Sequence, residues 1–137
     1  MNRPRTLAEV ARRSNAGEQE FTSALREFLD EFYGALRVGT AANLIAAEPE
    51  AIGDSQRHAF LGAVGEHLAR RWDLPIPAWT EDRSRFLKRP YFTTPLEGLK
   101  AMLLVESPLA FRRRLIFTEA EPLRRARMPR AVPAASA

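Results

Sequence analysis

From Glu18 onward the apolar residues fall at Phe21, Leu25, Phe28, Leu29, Phe32 and Leu36, three and four positions apart. That spacing draws one stripe along an amphipathic helix, with Glu20, Arg26, Glu27, Asp30 and Glu31 mainly off it. Upstream, Thr6-Leu7-Ala8-Glu9 has the form of a capping box, whose hydroxyl and carboxylate satisfy the free amides at a helix start. It predicts a short helix to about Ser14, ended by Asn15-Ala16-Gly17. Gly34 and Gly39 bracket a break or kink. Val38 to Ala47 is small and apolar nearly all round, the pattern of a helix buried among others.

Asp54 or Ser55 caps the next helix, which runs to Trp72 with Phe60, Leu61, Val64, Leu68 and Trp72 on one side. Gly62 and Gly65 inside it each cost about 1 kcal/mol relative to Ala, and their use is close approach of a neighbour. Pro75 and Pro77 force an extended strap, flanked and pinned by Trp72 and Trp79. Thr94-Pro95-Leu96-Glu97 reads as a second capping box, opening a helix that carries Leu99, Met102, Leu103 and Val105. Ser107-Pro108 caps a turn into Leu109–Phe117, read as a helix throughout or a helix passing into a strand at 115–117. Thr118 or Glu119 starts a last helix through Arg127, and 128–137 is expected to be a disordered tail. The fold expected is all-α, a bundle of six or seven short helices in one domain over 1–127.

Composition narrows the chemistry. The chain has 137 residues, 45% hydrophobic and 28% charged, with no cysteine, so disulfides, thiol nucleophiles and thiolate metal sites are excluded. No apolar run reaches the roughly 18 residues of a membrane span, and no signal-peptide stretch is visible; a cytoplasmic protein is expected. Charge is uneven. Four arginines stand against Glu9 within 1–13, and seven against Glu119 and Glu121 within 109–130, while the body between is mildly acidic. Among 21 basic residues only Lys88 and Lys100 are lysine, a bias that suits bidentate binding of carboxylate or phosphate and also a GC-rich genome.

Motifs for catalysis are lacking. His58 and His67 lie nine positions apart, which at about 100° per residue sets them on opposite helix faces. Asp54 and His58 share a face but are two ligands only. Glu27, Asp30 and Glu31 occupy the polar side of the long helix, where acids are solvated. No serine lies in G-x-S-x-G and no glycine begins a phosphate-binding loop, so an enzyme is not expected and no cofactor is implied.

The basic segments carry the binding candidates. Arg112, Arg113 and Arg114 fan across about 200° of a helix, so at least one should lie near the core edge and bind a carboxylate or helix end. Arg124 and Arg125 extend the basic zone. In the loop-like stretch 83–92, Arg85, Phe86, Arg89 and Tyr91 combine aromatics with arginine, as interface centres do. These nine residues are the expected partner-binding set. The opening Thr6–Arg13 resembles the first helix of helix-turn-helix repressors, but an acidic helix follows where a recognition helix should stand.

The segments P-A-W (77–79), R-F-L-K-R-P-Y-F (85–92), G-L-K-A-M-L-L-V-E-S-P-L-A-F-R-R-R-L-I-F (98–117) and L-R-R-A-R (123–127) resemble a group of small bacterial proteins encoded beside a nucleotidyltransferase-like partner. Those arrangements resemble toxin–antitoxin pairs. The resemblance implies an antitoxin-like interaction protein that binds and restrains its partner, and it transfers no catalytic residue. The other reading is a nucleic-acid-binding regulator using both basic ends, whose binding weakens steeply with salt. A homodimer is compatible with either.

Overall fold

Thr6 Oγ1 accepts the Glu9 amide at 3.1 Å and starts α1, Leu7–Ala16. The Glu9 carboxylate turns instead to Arg12 and Arg13, so only half of the capping box forms. Gly17, at φ 71°, closes the helix in the left-handed conformation that glycine adopts without strain. The computed structural model describes residues 2–130. In α2, Phe21–Val38, the Glu20 carboxylate caps the Thr22 and Ser23 amides. The predicted stripe is buried, joined by Ala24 and Tyr33. Gly34 neither breaks nor kinks the chain: α2 runs through it, and the missing Cβ admits the Arg127 guanidinium.

The expected buried helix over 38–47 shrinks to α3, Ala42–Ala46, of which Ile45 alone is buried. Gly39 at φ 80° ends α2, and the small residues that follow have little surface with which to dock. α4, Ser55–Arg71, capped by Asp54, is the central helix. Gly62, Gly65 and Ala residues keep it thin enough to be enclosed on most sides. Behind it comes the proline strap, and both indoles are buried as expected; Trp79 Nε1 donates to the Ile45 carbonyl at 3.0 Å. Short 3-10 turns at Ala78–Glu81 and Arg83–Arg85 then cross α4.

β1, Tyr91–Phe92, pairs in parallel with β2, Ile116–Phe117, in the register Tyr91 to Ile116 and Phe92 to Phe117. The strand at 115–117 therefore forms, while α6 is limited to Leu109–Arg112. The second capping box does not form. A 3-10 turn at Glu97–Leu99 precedes α5, Lys100–Glu106, and Leu96 stands at the cap position with no side-chain bond. Nor does Ser107 cap α6. Its Oγ accepts the Thr118 amide at 2.8 Å and bonds the Leu103 carbonyl, tying the end of β2 to α5.

The last predicted helix is absent: 118–130 runs as turns and extended chain along α2. Its carbonyls are engaged from across the fold, Leu123 by the Tyr33 hydroxyl and Arg127 by Arg37, each at 2.6 Å. Of the expected tail, 131–137 lies outside the described residues, whereas the Met128 amide bonds the Arg125 carbonyl and its side chain packs on the core. The described chain is thus mostly helical, with six helices and one two-stranded parallel sheet. One hydrophobic cluster runs from Leu7 to Leu123.

Candidate functional site

Two of the nine expected partner-binding residues lie inside the protein. Arg114 is 0% and Arg85 1% exposed, so neither meets a partner in this fold. Arg114 donates to Glu66 Oε1 at 2.6 Å, to the Ala110 carbonyl of α6 and to the Thr80 carbonyl. Glu66, itself fully buried, also receives Arg70 at 2.6 Å and Arg113 at 2.7 Å. Burial pushes the Glu66 carboxyl up, but the hydrogen bonds from Arg114, Arg70 and Arg113 prevail and hold it down at about 2. Arg113 bridges onward to Glu81 at 2.8 Å. The inward turn expected of one arginine in the triplet is therefore made by Arg114, on a carboxylate.

Among the described residues Arg85 has no carboxylate partner. It donates to the carbonyls of His58 and Pro49, and its guanidinium lies 4.8 Å from the Trp79 ring centre. Phe86, half-buried, lies under the guanidinium of Arg114 at 4.4 Å. These arginines act as internal struts whose reach is set by Gly62, since a Cβ there would stand 3.0 Å from Arg85 Cβ and 3.1 Å from Arg114 Nε. Nothing in its own sequence pattern marks Glu66 as the anchor. The paired glycines beside it were the sole local hint.

His58, Ser84 and Asp82 line up in a way that looks catalytic. The Ile52 amide points at Nδ1 at 3.3 Å, so the proton belongs on Nε2, which donates to Ser84 Oγ at 2.8 Å. The Ser84 hydroxyl in turn donates to Asp82 at 2.7 Å. The imidazole thus gives to the serine rather than receiving from it, the reverse of what activates a nucleophile. The chain of bonds pins the 3-10 turn to α4. His58 is kept below its ordinary pKa by burial and then by Arg85. His67, packed against the Phe111 ring, is lowered by burial to about 4.

Two surfaces remain open. The first is α5. Of the residues expected to pack from it, Leu103 is buried, but Leu99, Met102 and Val105 are exposed, Val105 at 77%. Leu104 on the same helix and Leu96 and Leu109 on its two flanks are exposed as well. Five consecutive apolar residues, Ala101 to Val105, leave this helix no polar side to turn outward, and that was the readable signal.

The second is a groove between α2, the start of α4, β1 and the 118–130 segment, enclosing about 730 Å³. Tyr91, Arg124 and Arg125 from the expected set line it, with Arg26 and Arg57. Arg125 is held by Asp30 through two bonds of 3.0 Å, whereas Arg124 is exposed and forms no ion pair among the described residues. Arg89 is exposed outside the groove, and Arg112, also exposed, donates to the Ser107 carbonyl. The nine residues are therefore not one patch. No described helix is long and apolar enough to cross a membrane. No family model, curated protein or solved structure matches the chain.

Proposed function

We propose that the chain is a non-catalytic protein-interaction module that binds a folded protein partner through the outward face of α5. The observation that carries this reading is the exposure of Leu96, Met102, Leu104, Val105 and Leu109 together on one small helix and its flanks. Burying the exposed parts of such side chains is worth several kcal/mol, at roughly 25 cal/mol per Å². Glu97 and Lys100 pair at 2.8 Å beside this face and Glu106 stands exposed at the helix end, so α5 and its lead-in turn bring no positive excess. A partner offering its own apolar patch suits that surface. A polyanion does not.

The nucleic-acid alternative loses support from the same geometry. Arg13, Arg113, Arg114 and Arg125 are each engaged with a carboxylate, and Arg85 is buried on carbonyls, so these arginines are not free to meet phosphates. The antitoxin-like role in a bacterial cytoplasm is the finer form of the reading, with the bound partner restrained. The test is a nuclease-treated pull-down from the native host, comparing the native chain with a Val105→Glu/Leu109→Glu variant of unchanged circular dichroism. One stoichiometric protein should be captured by the native chain and by Arg124→Glu but lost from the double variant. Equal capture by the double variant, or recovery of nucleic acid alone, overturns the reading.

A further inference from the structure

The groove beside Tyr91 continues. A second cleft of about 750 Å³ adjoins it, and Arg124 and Arg125 line both. Together they form a track along the 118–130 segment, a shape for an extended chain more than for a single small molecule. The floor of the first cleft is apolar, made by Phe21, Leu25, Phe60 and Leu123 with the Tyr91 ring.

The rim is basic. Arg26, Arg57 and Arg124 are exposed and form no ion pair with a described residue. Arg57 stands over the Phe21 ring at 5.4 Å, which keeps its guanidinium at the edge of the apolar floor. Carboxylates are interspersed among them. Asp54 is taken up in capping α4, Glu119 is exposed, and in the second cleft Glu121 meets Arg71 at 3.5 Å.

That alternation selects the ligand. A nucleic-acid strand carries a phosphate on every nucleotide and must lay some of them beside Glu119 and Glu121. A peptide can space its carboxylates to meet Arg26, Arg57 and Arg124 and place apolar side chains on the floor between them. We propose that this groove is a second docking site, taking an extended partner segment in which acidic and apolar residues alternate. Arg124, common to both clefts, is its central contact. The site is separate from α5 and does not rest on the reading given above.

The test uses the full chain and a fluorescein-labelled peptide, Asp-Phe-Glu-Leu-Asp-Phe-Glu-Leu, followed by anisotropy at low salt. A peptide with lysine at the acidic positions and a labelled oligo-dT of similar length are the comparisons. Binding of the acidic peptide is expected, weakened about tenfold or more by Arg124→Glu. Since that side chain is exposed and bonded to nothing described, the fold should survive. Val105→Glu should leave peptide binding unchanged, which keeps this result distinct from the α5 experiment. Absence of acidic-peptide binding up to about 1 mM, equal binding of the lysine peptide, or indifference to Arg124→Glu overturns the proposal. Tighter binding of oligo-dT than of the acidic peptide also overturns it, in favour of a nucleic-acid groove.

Discussion

Glu66 and Arg114 meet at 2.6 Å with neither side chain exposed to water, one from the middle of α4 and the other from the turn after α6. Removing either partner strands a buried charge, whereas removing both leaves a cavity that apolar chains can fill. Breaking such a pair from one side costs about 3–5 kcal/mol, while replacing the pair by hydrophobes of similar volume is often close to neutral. Glu66→Met and Arg114→Met should therefore each lower stability by about 3 kcal/mol or more. Glu66→Met/Arg114→Met should cost less than their sum, because Arg70 and Arg113 are partly exposed and turn to water. Urea unfolding of the four proteins checks this, and additive losses would show that the ion pair is not what couples the two positions.

The glycines of α4 and α2 should respond in opposite ways to alanine. In an open helix interior Gly→Ala gains about 1 kcal/mol. At Gly62 the new methyl group meets Arg85 Cβ at 3.0 Å, and at Gly65 it meets the Trp79 ring at 2.8 Å; neither neighbour can easily give way. Both substitutions should destabilise, by about 1–3 kcal/mol. At Gly34 the 2.8 Å neighbour is the far end of the Arg127 side chain, which can swing aside, so Gly34→Ala should be neutral or stabilising. Thermal melts of the three single variants read the signs directly.

What could be read from the sequence divides along contact range. α1, α2 and α4 follow from caps and stripes within a few residues, and Thr6, Gly17 and Asp54 act where their local chemistry puts them. The helix expected over 118–127 does not form: the groups that hold this segment, Tyr33 and Arg37, lie 90 residues away, beyond any local pattern. The arginines split the same way. That one of Arg112–Arg114 must turn inward is helix geometry, but that Arg85 is buried depends on Gly62 and Pro49, brought to it only by the fold. Among the site residues, Tyr91, Arg124 and Arg125 converge in the groove, a convergence with no local sequence signature.

Acid should weaken the fold in two stages. The folded chain resists protonating His67 until about 4, while an unfolded histidine takes its proton near 6.5. Between those values the unfolded state binds more protons, so stability falls as pH falls. The loss attributable to His67 is about 3 kcal/mol at most by pH 4. Glu66 acts lower down. Its contribution is present above its unfolded value of 4.5 and is lost as pH falls toward about 2. His67→Phe, which keeps a ring against Phe111, should reduce the dependence of urea midpoints between pH 6.5 and 4, leaving the share due to His58, and leave the lower stage in place. An unaltered slope would exclude His67 as its source.

The 118–130 segment is held to α2 by three side chains: Asp30, gripping the Arg125 fork, Tyr33, donating to the Leu123 carbonyl at 2.6 Å, and Arg37, donating to the Arg127 carbonyl at 2.6 Å. Tyr33→Phe deletes a buried hydrogen bond and leaves that carbonyl unpaired, a loss of about 1–2 kcal/mol. Asp30→Asn gives up a partly buried ion pair, worth about 1 kcal/mol. Because Asp30 and Tyr33 fasten this segment to α2, the loss should appear first as local opening. Trypsin cleavage after Arg124, Arg125 or Arg127 should rise about 30- to 150-fold in the double variant, before any comparable drop in global stability. The segment also forms one wall of the groove. The same variant should therefore bind the acidic peptide more weakly although its exposed arginines are untouched. Faster cleavage with peptide binding intact would mean that the groove does not need this wall, and that its contacts lie on α2 and α4 alone.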